Sequence, residues 1–77
     1  MRDIKKDIYA TYDYLKETIA YANEAYDLAK NSMFATSLMG TQHYSKKAME
    51  AAKNASSAAN DAFDVIEIII KELKKRP

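Results

Sequence analysis

The sequence predicts an all-α protein in which two long helices fold back on each other as an antiparallel hairpin. Apolar residues recur every three or four positions along two segments, which is the spacing of one face of an α-helix. The 77 residues include one glycine and one proline, whereas a fold of many short strands needs several turn-forming residues. The chain has room for one sharp reversal. We therefore expect one helical-hairpin domain over residues 1–77, without strands.

The first helix is predicted over residues 3–37. Its apolar residues fill two neighbouring heptad columns, and these form the stripe expected to face the second helix: Tyr12, Ile19, Tyr26 and Met33, with Ile8, Leu15, Ala22 and Ala29. A second stripe lies further round the helix and consists of Tyr14, Tyr21, Leu28 and Ala35. The two stripes are separated by small residues that form a shallow groove suited to a neighbouring helix: Thr11, Thr18, Ala25 and Ser32.

A turn is predicted at residues 38–41. The heptad phase of the first segment is lost across this stretch, which favours two helices over one continuous rod. Gly40 suits the left-handed residue that often ends a helix, and Thr41 can cap the next helix. A short connection makes the helices antiparallel neighbours, and residue i is then expected near residue 81 − i.

The second helix is predicted over residues 42–75. Its alanine-rich turns, at residues 48–62, are expected to lie opposite Tyr12, Ile19 and Tyr26, because large side chains facing small ones let two helices approach closely. Four adjacent heptad columns of this helix are apolar or small, and together they cover roughly 200° of its circumference, far more than a two-helix seam needs.

This excess of apolar surface predicts self-association, because a two-helix hairpin of this length cannot bury it. We expect a homodimer that forms a four-helix bundle. The residues expected at its interface are Tyr14, Tyr21, Leu28, Met49, Phe63, Val65 and Ile70. A higher oligomer, a three-helix monomer with an additional break, and a hairpin completed by a different partner are the alternatives.

Six tyrosines are unusual in a chain of this length. An aromatic ring with a polar tip suits an interface. The tyrosine-rich face, formed by Tyr9, Tyr14, Tyr21 and Tyr44, has two interpretations. It closes the seam of the homodimer, or it is a recognition surface for another protein.

The net charge is +1, but the charges are unevenly placed. The open end of the predicted hairpin is basic and contains Arg2, Lys5, Lys6, Lys71, Lys74, Lys75 and Arg76. Cations at a helix C-terminus stabilise the helix dipole, which explains the C-terminal part of this group. The alternative is a phosphate-binding patch for nucleic acid or an anionic membrane surface.

The sequence indicates no catalytic residue, no metal site and no cofactor. The carboxylates of the two helices fall mainly on outward heptad positions and no Glu-x-x-His pair occurs, whereas bundle metal sites need inward-facing carboxylates and such pairs. His43 is the only histidine and has only turn-forming hydroxyl residues near it in sequence. With no cysteine, no apolar N-terminal segment and no apolar run of about 20 residues, we expect a cytoplasmic protein.

The predicted architecture resembles that of small hairpins from plasmids, phages and regulatory systems that dimerise into four-helix bundles. Some of these bind RNA or inhibit kinases, but no motif links them to this chain. We therefore expect a non-enzymatic interaction or regulatory protein that acts as a homodimeric bundle. The alternative is a binder of nucleic acid or anionic surfaces that uses the basic open end.

Overall fold

The computed structural model describes residues 3–76, and 92% of these residues are helical, with no strand among them. Helix α1 spans Ile4–Phe34 and helix α2 spans Leu38–Lys74. Residues 35–37 connect them, and the two helices pack together as an antiparallel hairpin. The predicted all-α hairpin of two long helices is confirmed.

Helix α1 begins and ends without a glycine. Asp3 caps its N-terminus, because the Asp3 carboxylate accepts a hydrogen bond from the Lys6 backbone N–H at 3.3 Å. At the other end Ala35 takes an extended conformation, with φ −66° and ψ 138°, and its N–H donates to the Ser32 carbonyl at 3.3 Å. The helix therefore ends by a change in ψ and needs no left-handed residue.

The start of α2 corrects the predicted turn. Ser37 is the N-cap, and its hydroxyl accepts a hydrogen bond from the Gly40 N–H at 3.0 Å. The Thr41 hydroxyl in turn donates to the Ser37 carbonyl at 3.0 Å. Gly40 lies inside the first turn of α2, and no residue of 3–76 has a positive φ. The predictions that Gly40 ends α1 and that Thr41 caps α2 are wrong, because Ser37 already supplies the cap.

The earlier turn changes the register between the helices. The Ser32 hydroxyl donates to the Thr41 carbonyl at 3.0 Å, and it lies 2.6 Å from the Ser45 hydroxyl. Residue 32 of α1 is therefore opposite residues 41–45 of α2, whereas a turn centred on Gly40 placed it opposite residue 49. These two hydrogen bonds fix the register close to the connection.

The contact between α1 and α2 is lined mainly by small residues. On α2 the fully buried residues are Ala51, Ala58 and Ala62, which are 4%, 4% and 1% exposed, and within residues 3–76 no larger apolar side chain is buried to this extent. On α1 the half-buried residues include Tyr14, Tyr21 and Leu28, together with the small residues Thr11, Thr18, Ala25 and Ser32. We call this contact the inner seam.

The inner seam uses a different side of α1 from the one predicted. Tyr12, Ile19, Tyr26 and Met33 were expected to face α2, but they are 63%, 63%, 68% and 71% exposed. The physical reason is size. Because α2 contributes alanines, the two backbones approach most closely where α1 is also lined by small residues, and that is its threonine, alanine and serine groove.

Candidate functional site

Large apolar side chains remain uncovered along both helices. Twelve of them, each between 37% and 75% exposed, share two heptad columns on each helix. We call this set the exposed apolar face. It consists of Ile8, Tyr12, Leu15, Ile19, Tyr26 and Met33 on α1, and of Leu38, Met49, Phe63, Ile66, Ile70 and Leu73 on α2.

The two halves of this face lie on the same side of the hairpin. Successive residues of an α-helix are about 100° apart around its axis. On each helix, the centre of the exposed stripe lies about 110° from the inner seam, measured in the direction in which the helix winds from its N-terminus. Seen from the open end, this rotation is clockwise on α1, which runs away from the viewer, and anticlockwise on α2, which runs towards the viewer. Both stripes therefore turn to one side. Leu15 and Ile66, at 43% and 37% the least exposed members from their helices, flank the seam on that side.

The opposite side of the hairpin is polar. There α1 presents Glu17, Glu24 and Asn31, and α2 presents Lys47, Asn54 and Asp61, all of them exposed, and Ile68 is the apolar member of the same column of α2. The hairpin measures 62 × 14 × 12 Å and its radius of gyration is 17.5 Å, whereas a compact chain of this length has one of about 11 Å. The molecule is thus a thin rod with one apolar and one polar long side.

The predicted interface residues divide between two environments. Met49, Phe63 and Ile70, at 52%, 58% and 47% exposure, belong to the exposed apolar face. Tyr14, Tyr21, Leu28 and Val65 are half-buried on the sides that the two helices turn towards each other. Sequence reasoning did not assign Tyr12, Ile19 and Tyr26 of α1, or Ile66 and Leu73 of α2, to an outer surface, although their regular spacing placed them on one stripe of each helix.

The tyrosines are divided in the same way. Tyr9, Tyr12 and Tyr26 are 62%, 63% and 68% exposed. Tyr14, Tyr21 and Tyr44 are half-buried. The four residues of the predicted tyrosine-rich face therefore do not share one environment, since only Tyr9 among them is exposed.

No protein-family model, curated protein or solved structure matches this chain.

The basic open end is also a surface feature. Its described members Lys5, Lys6, Lys71, Lys74, Lys75 and Arg76 are all exposed, and Arg2 lies outside the described residues. Three carboxylates accompany them, since Asp3 caps α1, Asp7 is buried in the first turn of α1 and Glu72 is half-buried in α2. Lys71 and Lys74 occupy the last turn of α2, where a positive charge stabilises the helix dipole.

Other candidate sites offer little chemistry. Residues 3–76 contain no cluster of three or more His, Asp or Glu side chains placed to hold a metal ion. His43 is exposed, and its ring meets the Tyr44 ring edge-on at 5.3 Å between centroids. Two open depressions, one along α1 beside Tyr26 and Met33 and one at the connection beside Ser37 and Tyr44, are lined by few ionisable groups. Neither α1 nor α2 combines the length and the apolarity needed to cross a membrane.

Proposed function

We propose that this chain is a cytoplasmic, non-enzymatic interaction or regulatory protein that acts as a homodimeric four-helix bundle. Two hairpins pack their exposed apolar faces against each other, and their polar sides remain in water. The observation that carries this proposal is the continuity of the face, which extends along both helices on one side of a 62 Å rod. Scattered apolar residues are ordinary on a monomer, but a contiguous stripe of this length marks an interface.

The large exposed surface area of the chain supports association with a second copy. The chain exposes 6072 Å², whereas a compact monomer of 8.7 kDa exposes about 4,700 Å². The excess of about 1,300 Å² per chain falls in the range that each subunit of an obligate dimer buries. A second copy supplies a matching rod with an equally long apolar side.

The small core supports the same proposal. The buried apolar residues of the inner seam are three alanines, and burial of an alanine contributes much less free energy than burial of a leucine or phenylalanine. Most of the large apolar side chains are left outside, and those between the helices, among them Tyr14, Tyr21 and Leu28, are only half-buried. Packing two exposed apolar faces together buries the side chains left outside, so we expect folding and association to be coupled.

Sedimentation equilibrium and thermal unfolding over a range of protein concentrations test the homodimer. We expect a mass near twice 8.7 kDa at micromolar concentration, and a melting temperature that rises with concentration because association stabilises the folded state. A well-folded 8.7 kDa monomer whose melting temperature does not depend on concentration would contradict the proposal.

Binding of nucleic acid or anionic membranes through the basic open end is the second candidate. It is supported by the exposure of six cations in the first turn of α1 and at the C-terminal end of α2. Retention on RNA, DNA or anionic vesicles that weakens steeply with added salt would support it. Retention that is absent even at low salt would leave self-association as the proposed activity.

A further inference from the structure

We propose that the two hairpins of the dimer run in opposite directions, so that the turn of each lies beside the open end of its partner. This inference rests on the proposed homodimer and adds its topology. A face-to-face dimer has two symmetric arrangements. In the parallel one the two turns share an end, and in the inverted one they lie at opposite ends. Neighbouring helices are antiparallel in both, so helix dipoles do not choose between them.

Side-chain volume along α2 distinguishes the arrangements. The half of α2 nearest the open end contributes four large side chains to the exposed apolar face: Phe63, Ile66, Ile70 and Leu73. The half nearest the turn has Leu38 and Met49, but the intervening positions of the same two columns are Gln42, Ser45, Ala52 and Ser56. The large members on α1 are spread evenly over its length, so the face is bulkier towards the open end than towards the turn because of α2 alone.

The parallel arrangement packs the bulkier, open-end halves of the two exposed apolar faces against each other. Each α2 then lies over the partner's α1, with residue i of α1 near residue 76 − i of α2. Ile8, Tyr12 and Leu15 would meet the four large side chains of α2, while Ile19, Tyr26 and Met33 would meet the half of α2 that has only two. The open half of the interface would then hold seven large side chains from each chain and the turn half five, and such uneven filling of a core between two straight rods is destabilising.

The inverted arrangement evens out this difference. Each α2 lies over the partner's α2, and residue i faces a position close to 112 − i, because the symmetry axis passes near residue 56. Ile66 then lies near Ser45, Ile70 near Gln42, and the small residues Ala52, Ser56 and Ala59 meet at the axis. Phe63 lies near Met49, and a thioether packs well on an aromatic ring. Large side chains of α2 thus mostly meet small ones, the evenly spaced large side chains of α1 meet one another along the whole rod, and both halves of the interface hold the same number of large side chains.

The charges at the rim of α2 agree with inversion. Lys46 and Lys53 border the face in the turn half and Glu67 borders it in the open half, all three exposed. Inversion brings Lys46 of each chain beside Glu67 of the other. In the parallel arrangement the rim of α1 meets the rim of α2 instead, which places Lys30 near Lys46. Exposed pairs contribute little to affinity, but like charges facing each other disfavour one arrangement.

Distances between spin labels test the topology directly, because the chain has no cysteine and a single one can be placed at will. Thr36→Cys puts a nitroxide in the exposed connection, and Ser57→Cys puts one at mid-length on the polar side. Inversion places the two Thr36→Cys labels near opposite ends of the 62 Å rod. We expect a distance of about 60 Å for this pair, and one below about 40 Å for the Ser57→Cys pair, given helix spacings of 8–10 Å.

The two variants separate the failure of each proposal. A Thr36→Cys distance below about 30 Å, as expected for turns on adjacent helices, would overturn the inversion while the homodimer stands. A mixture of short and long Thr36→Cys distances would also overturn it. If neither variant gives an intermolecular distance at concentrations where circular dichroism shows folded protein, both the homodimer and its topology are wrong.

Discussion

The inner seam and the exposed apolar face place apolar residues in opposite ways. The inner seam brings two backbones close together over alanines, with a serine pair fixing the register near the turn. The exposed apolar face carries most of the large apolar side chains and leaves each of them at least 37% exposed. The hairpin thus uses small residues for contact within the chain and keeps its bulk on an outer side. Residue size, more than apolarity, decides which side of α1 faces α2.

The largest expected effect comes from placing a charge on the exposed apolar face. Phe63 is 58% exposed in the hairpin, so Phe63→Glu leaves the inner seam intact while putting a carboxylate into the proposed dimer interface. Burying an unpaired carboxylate costs about 3 kcal/mol or more, and we expect the dissociation constant to rise at least 100-fold. Sedimentation equilibrium measures this change.

The matched control for Phe63→Glu adds the same charge to the polar side. Ser57 is exposed and lies away from both contacts, so Ser57→Glu should leave the dissociation constant within about threefold of the parent, as surface substitutions generally do. Equal weakening by the two variants would mean that net charge, and not the exposed apolar face, controls association.

Some features of the inner seam and the exposed apolar face can be predicted from the sequence, and others cannot. Periodicity predicts both helices and both stripes of α1, because apolar residues that recur every three or four positions lie on one side of an α-helix. It does not say which stripe meets which partner. Tyr12 and Ile19 suggested an inner contact because they are large, and the structure turns them outward because Ala51 and Ala58 of α2 select the small-residue side of α1. Which side of α1 faces α2 depends on how the two helices pack against each other, and the residue pattern of one helix alone does not determine this.

The turn was misplaced for a local reason. Glycine can adopt a left-handed conformation but does not have to, and the φ of Gly40 is not positive. Ser37 carried the stronger signal, since a serine side chain can accept the N–H of the residue three positions later. The structure contains this hydrogen bond, from the Gly40 N–H to the Ser37 hydroxyl, at 3.0 Å.

The inner seam is tested by enlarging one of its alanines. Ala62 is 1% exposed, and Ala62→Leu adds three carbons where the helices are closest. We expect the free energy of unfolding to fall by about 1–3 kcal/mol, the usual cost of overpacking, measured by urea denaturation at fixed protein concentration. Ala20→Leu is the control, because Ala20 is exposed on an outward side of α1. A stabilised Ala62→Leu variant would mean that the seam is loose and that its alanines do not set the helix separation.

A smaller effect is expected from the cap that sets the direction in which α2 leaves the turn. Ser37→Ala removes the hydroxyl that accepts from the Gly40 N–H, and we expect the free energy of unfolding to fall by about 1 kcal/mol. Thr36→Ala removes a hydroxyl from the neighbouring exposed residue, which is not the cap, and should change it by less than about 0.5 kcal/mol. Equal losses in the two variants would contradict the assignment of Ser37 as the N-cap.

The smallest effect is expected at Gly40, where the two positions considered for the turn predict different results. If Gly40 were a left-handed residue between the helices, Gly40→Ala would cost about 1–2 kcal/mol. Its actual place in the first turn of α2 carries no such strain, and alanine favours a helix more than glycine does. The added Cβ would lie 3.0 Å from the Ser37 hydroxyl oxygen and 3.5 Å from the Ala35 Cβ, so a small displacement of the cap offsets part of this gain. We expect the free energy of unfolding to change by less than about 0.5 kcal/mol, measured by urea denaturation beside Ser37→Ala, and a loss above 1 kcal/mol would place the turn at Gly40 after all.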